Sequence, residues 1–127
     1  LGDDARVRAL IAADPTSATA KGGPYDWDPL THLCFSNFLK GNGDTSGFVR
    51  AAQALLDAGA NVKATTSSGG TTPLHFAASL GDKAIVTALL DKGAPVDAKE
   101  TAFGQTPIMW AAAYDRVAAV EVLAALM

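Results

Sequence analysis

An all-α solenoid of stacked antiparallel helix pairs is the fold class this sequence predicts, and three observations predict it. The segment Gly70-Thr71-Thr72-Pro73-Leu74-His75-Phe76-Ala77-Ala78-Ser79-Leu80 returns 34 residues later, at Gly104-Gln105-Thr106-Pro107-Ile108-Met109-Trp110-Ala111-Ala112-Ala113-Tyr114. A second segment, Leu55-Leu56-Asp57-Ala58-Gly59-Ala60, returns at the same offset as Leu89-Leu90-Asp91-Lys92-Gly93-Ala94. In each copy, helix start and stop signals bracket apolar residues at helical spacing. A fixed period of this length marks an array of stacked units, each touching only its neighbours.

The elements follow in order. At the N-terminus, Leu1-Gly2-Asp3 aligns on Leu80-Gly81-Asp82, so residues 1–15 read as half a unit, its second helix only. The unit at 25–62 opens on Asp28-Pro29 and lies 44 residues before the next proline. It therefore carries ten extra residues, placed near 37–46 by matching Gly47 to Gly81. A regular unit occupies 63–96, and the last unit, 97–127, stops short of a terminating glycine.

Thr72, Thr106 and Asp28 are each expected to act as helix N-caps, their side-chain oxygens taking orphan N–H groups. Pro73, Pro107 and Pro29 then stand at the first helical position, where the missing N–H costs nothing. The first helices should run about eight residues, too short to be stable alone in water. Ile85, Val86, Leu89 and Leu90 form one face of a second helix, repeated by Ala51, Ala52, Leu55 and Leu56, and by Val7, Leu10 and Ile11. Gly59 and Gly93 follow two of these stripes where a left-handed residue ends a helix. Segments 62–70 and 96–104 read as turn-rich loops, with long tips at Ser67–Ser68 and Thr101–Phe103.

Thr72 to Ala77 reads T-P-L-H-F-A, and with Leu74 and the period it resembles the ankyrin repeat. The resemblance covers nearly the whole chain and is sharpest over 70–114. It is looser over 16–46, where Thr31 replaces the motif histidine. It implies β-hairpin fingers at right angles to the helices, a structural His75 tying units together, and protein binding along a concave face. Carried over by position, that face comprises Ser79 and Leu80, Ala113 and Tyr114, and Phe35 and Ser36. The finger positions are Thr66, Ser67, Ser68, Thr71, Glu100, Thr101, Phe103 and Gln105. Tyr114 and Phe103 lead, since aromatics dominate interface energetics; the plainer alternative packs Phe103 into its finger base and Trp110 between helices.

Other readings are weighed by their chemistry. Cys34 aligns with the small packed position of Ala78, and His32, two residues away, points to a different side of a helix. His32 itself has no second metal ligand at helix spacing. Asp26 and Asp28 flank Trp27, but Asp28 is claimed as a cap. Asn42-Gly43-Asp44 lacks the ligand alternation of a calcium loop and reads as a tight turn. No phosphate loop, serine elbow or zinc-protease motif occurs. Thus no catalytic, metal or cofactor residue is expected.

Composition narrows the class further. With 49% hydrophobic but only 7% aromatic residues, the interior must be built from alanine and leucine. A net charge of −3 offers no field for nucleic acid. No apolar run is long enough for a membrane span, and one lone cysteine leans toward a reducing, cytoplasmic setting. Both ends look cut, which suggests a fragment that associates through uncapped ends or belongs to a longer parent. The function expected is a non-catalytic protein-binding module. The rivals are a regulatory or targeting segment of a larger enzyme or effector, and a small-ligand or carbohydrate site near Trp27 and the insertion.

Overall fold

The computed structural model describes residues 4–21, 27–40, 46–66 and 69–126. Seven α-helices lie among them: α1 (Asp4–Ala13), α2 (Pro29–Lys40), α3 (Ser46–Asp57), α4 (Pro73–Leu80), α5 (Lys83–Asp91), α6 (Pro107–Ala113) and α7 (Val117–Ala124), with a 3₁₀ turn at Pro15–Ala18. Helices α2, α4 and α6 stack as one row, and α1, α3, α5 and α7 as a second. Within each unit the two rows pack pairwise, α2 on α3, α4 on α5 and α6 on α7. The fold is an all-α ankyrin-type solenoid.

Small residues make this thin core possible. Leu74, Ala77, Ala78, Ile85, Val86 and Leu89 are fully buried, with Ala51, Ala52, Leu55 and Leu56 as their counterparts in the preceding unit. Leu90 is only partly buried. In α1 the stripe fails: Leu10 is 58% exposed and Ile11 half-buried. The described contacts of α1 run chiefly to α3 and the 3₁₀ turn.

Helix ends follow local chemistry. Thr72 caps α4 through a capping box, its hydroxyl accepting from the His75 N–H while its own N–H donates to the His75 ring. Asp28 Oδ1 accepts from Thr31 N–H at 2.8 Å, and Asp82 Oδ1 caps α5 through Ala84 N–H at 2.9 Å. The expected cap at Thr106 does not form. Its hydroxyl is buried without a hydrogen-bond partner: the Met109 N–H donates to the Thr106 carbonyl at 3.0 Å, and Met109 has no ring nitrogen where that of His75 lies 2.9 Å from the Thr72 hydroxyl. At the other ends, Gly59 (φ 96°) and Gly93 (φ 89°) adopt the left-handed conformation. Ala60 N–H then reaches Leu55 O and Ala94 N–H reaches Leu89 O, both at 3.0 Å, which satisfies otherwise orphan carbonyls.

Two features depart from the regular plan. Helix α2 runs 12 residues rather than eight, because Asn37 to Lys40 of the insertion extend it. Ser46, the last inserted residue, begins α3, and residues 41–45 lie outside the described set. The fingers are closed loops rather than β-hairpins, with no strand among the described residues. Thr66 N–H to Thr71 O and Glu100 N–H to Gln105 O, each 3.0 Å, close the two loops at their bases.

Candidate functional site

Two kinds of surface meet along the first helices and the loops beside them. The loop between α5 and α6 is shaped by Glu100, whose side chain turns inward. Its carboxylate accepts from Gln105 N–H at 2.8 Å and Phe103 N–H at 3.0 Å. Those hydrogen bonds, the one from Gln105 first, hold the carboxyl below its ordinary range against the opposing effect of burial. Glu100 is therefore a brace for the loop. The same task falls to Thr66 in the preceding loop, where its Oγ1 accepts from Thr71 N–H at 3.2 Å. Thr66 and Thr71 are both buried. Neighbouring loops are joined by Thr101 N–H donating to Gly69 O at 2.8 Å. Held this way, Phe103 projects from the tip at 82% exposure, rather than packing into the finger base, and Thr101 is exposed beside it.

The helix positions divide similarly. Ser79 is buried, its hydroxyl donating to Phe76 O at 2.6 Å. Its carbonyl accepts from Arg116 Nε at 2.9 Å, so the Arg116 stem lies across the end of α4 and against Gly81. Leu80, Phe35 and Gln105 are half-buried, while Ala113 and Tyr114 are exposed. Of the remaining positions, Ser67 and Ser68 lie outside the described residues, and Ser36 lies within α2 without a described side chain. The candidate positions with accessible surface are thus Phe103, Thr101, Gln105, Leu80, Ala113, Tyr114 and Phe35. Ser79, Thr66, Thr71 and Glu100 belong to the scaffold beneath it.

An aromatic row that the repeat frame did not announce crosses all three units. Trp27 contacts Phe35 edge-on at 5.2 Å and His32 at 5.4 Å; Phe35 meets Phe76 at 5.6 Å, and Phe76 meets Trp110 at 5.8 Å. Such pairs add specific packing to a core short of bulk. The alignment of Phe76 with Trp110 was a visible signal for part of it. The approach of Phe35 required knowing the pitch of α2. Arg116 was also missed, because nothing in its spacing marks a side chain that reaches back to the preceding unit.

His75 is wholly buried, and its ring is spoken for on both sides. Thr72 N–H donates to Nδ1 at 3.1 Å, so the ring proton sits on Nε2 and donates to Gln105 O at 2.9 Å. The Trp110 ring covers it edge-on at 5.3 Å. The histidine thus links α4 to the next unit. Cys34 is also fully buried, and burial, with a smaller push from the Asp28 carboxylate, drives its thiol far up. A thiol held protonated there is no nucleophile. Among the described residues no three His, Cys, Asp or Glu side chains come together as ligands of a metal, and no helix is long and apolar enough to cross a membrane.

These features define a class of protein, a helix-pair solenoid that offers braced loops and the flank of its first helices. The family model described as ankyrin repeats (3 copies) matches residues 45–126, and the chain belongs to the ankyrin repeat family. Members of that family generally serve as protein–protein interaction modules and are typically non-catalytic. No curated protein matches the chain.

Proposed function

We propose that this chain is a non-catalytic protein-binding module whose docking surface centres on Phe103 and Tyr114. To that surface we also assign Thr101, Gln105, Leu80, Ala113 and Phe35. The observation that carries this reading is the pairing of an 82% exposed Phe103 with a tip held by the Glu100 carboxylate. A large apolar side chain on a pre-ordered loop binds without first losing much conformational freedom. Tyr114, 50% exposed, supplies the second anchor on the helix flank. The test is affinity capture with the intact protein, comparing wild type with Phe103→Ala and Tyr114→Ala. Loss of the same bound proteins in both folded variants supports the reading, and unchanged recovery in both refutes it.

A second reading is self-association through the last unit. There Met109 is 49%, Val117 61% and Leu126 56% exposed, a concentration of apolar surface matched in no other unit among the described residues. Light scattering over a concentration series decides this. A strict monomer at high concentration excludes it.

A further inference from the structure

We propose that the buried contact of His75 with Gln105 is an acid-labile joint, whose protonation loosens the α6–α7 unit from the rest of the array. The inference does not depend on which surface binds a partner, so its failure would leave the docking proposal standing.

The geometry allows the ring only one state. Nδ1 must accept from Thr72 N–H, and Nε2 must donate to Gln105 O. That is the neutral imidazole with its single proton on Nε2. A second proton arriving from solvent binds Nδ1 and turns this acceptor into a donor. The Thr72 hydroxyl oxygen, 2.9 Å away, can receive the new N–H, but the Thr72 backbone N–H is then stranded. A buried donor without a partner is costly, and a buried positive charge costs more.

The surroundings offer the charged ring little relief. Burial disfavours the imidazolium and outweighs the help it receives from the Gln105 carbonyl, the Glu100 carboxylate and the Ala98 carbonyl, so the ring titrates below its ordinary range. Among the described side chains, ionisable groups on the elements packed round α4 are Asp28, His32 and Cys34 on the α2 side, and Asp82, Lys83 and Asp91 on the α5 side. The loop adds Lys92, Asp97, Lys99 and Glu100; Tyr114, Asp115 and Arg116 follow α6, and α6 itself has none. Of these, Glu100 is the one whose charge acts on the ring. Glu100 also accepts from Gln105 N–H, so both faces of one peptide segment are gripped by titratable groups. Opening this joint forfeits the Gln105 and Glu100 contacts but admits water to the ring, and because burial outweighs those contacts the imidazolium is relieved on balance. That opening separates Gln105, with α6 behind it, from α4.

The sign follows from linkage. A group whose folded pKa lies below its unfolded value contributes stability that is complete above the unfolded value and lost as the pH falls. For His75 the loss begins near the ordinary imidazole value of about 6.5 and ends at the lowered folded value. The Glu100 carboxyl, also lowered, adds a second loss of the same sign in the carboxylate range.

The test uses the full chain and two measurements between pH 7.5 and 5. Ring nitrogen NMR should show His75 unprotonated at Nδ1 at neutral pH and titrating below 6.5. Amide exchange should show protection at Thr72 and through α6 and α7 falling about tenfold per pH unit within the titration window, while α3 holds. His75→Gln should flatten that fall, and His32→Gln should leave it intact. If His75→Gln does not fold, the ring titration and the exchange pattern of the wild type decide alone. A His75 ring titrating at or above the ordinary value overturns the proposal. So does a loss of protection spread evenly over α3, or an equal fall in wild type and His75→Gln.

Discussion

The α4–α5 unit and the α6–α7 unit share a frame at an offset of 34 residues, yet equivalent positions live in different surroundings. Leu74, Ala78 and Val86 are fully buried, while Ile108 and Val120 are half-buried and Ala112 is exposed. His75 is sealed beneath the next unit, whereas its counterpart Met109 is half exposed. The turn after α4 uses Gly81 at φ 77°, and the turn after α6 uses Asp115 at φ 57°, where an L side chain is strained. In a solenoid, then, burial belongs to a position in the stack as much as to a residue type. The inner unit receives a neighbour on both sides. In the α6–α7 unit only the side facing α4 and α5 is covered among the described residues.

Paired substitutions at equivalent sites would sharpen or break this comparison. The largest effect is expected at Leu89, fully buried in α5 between α3 and α7. Leu89→Ala should cost about 2–5 kcal/mol in a denaturant melt. Leu123, at the same place in α7, is likewise fully buried, but Leu123→Ala should cost less, because a unit covered on one side among the described residues can collapse further into the cavity. Equal losses would mean that both units are equally enclosed, against the contrast drawn here.

Next comes the turn. Gly81→Ala places a Cβ at a left-handed residue, 2.7 Å from Arg116 Cδ. We expect a loss of about 1–3 kcal/mol. Asp115→Gly should do the opposite, with a gain of up to about 1 kcal/mol. Thermal melts of the two variants should therefore move in opposite directions.

The smallest contrast is at the caps. Thr72→Ala removes a working cap and should cost about 1 kcal/mol. Thr106→Ala removes a buried hydroxyl with no partner and should cost nothing or stabilise slightly. A similar penalty for both would show that the Thr106 hydroxyl finds an acceptor in solution.

Much of the scaffold was legible because its signals are local. A threonine before a proline, a glycine after a leucine pair, and alanines four residues from a proline each act within one or two helical turns. Thr106 shows where that reading stops. The reciprocal half of the capping box needs a side-chain acceptor three places on, as the His75 ring is for Thr72, and Met109 offers none. The length of α2 was misjudged because an insertion can extend a helix instead of looping out. The docking surface was harder still. Position within the repeat suggested Ser79 and Glu100 as exposed, but Arg116 lies over one and the other turns inward to brace its own loop. Both outcomes depend on contacts spanning either a whole repeat or a single turn, and spacing alone distinguishes neither.

The link between neighbouring loops runs from the Thr101 N–H to the Gly69 carbonyl, main chain to main chain. Such a tether is indifferent to which side chains decorate it. Evolution, or a protein engineer, can rewrite the recognition alphabet at position 101 and still keep adjoining tips in step. Proline alone is barred there, for want of a proton to give.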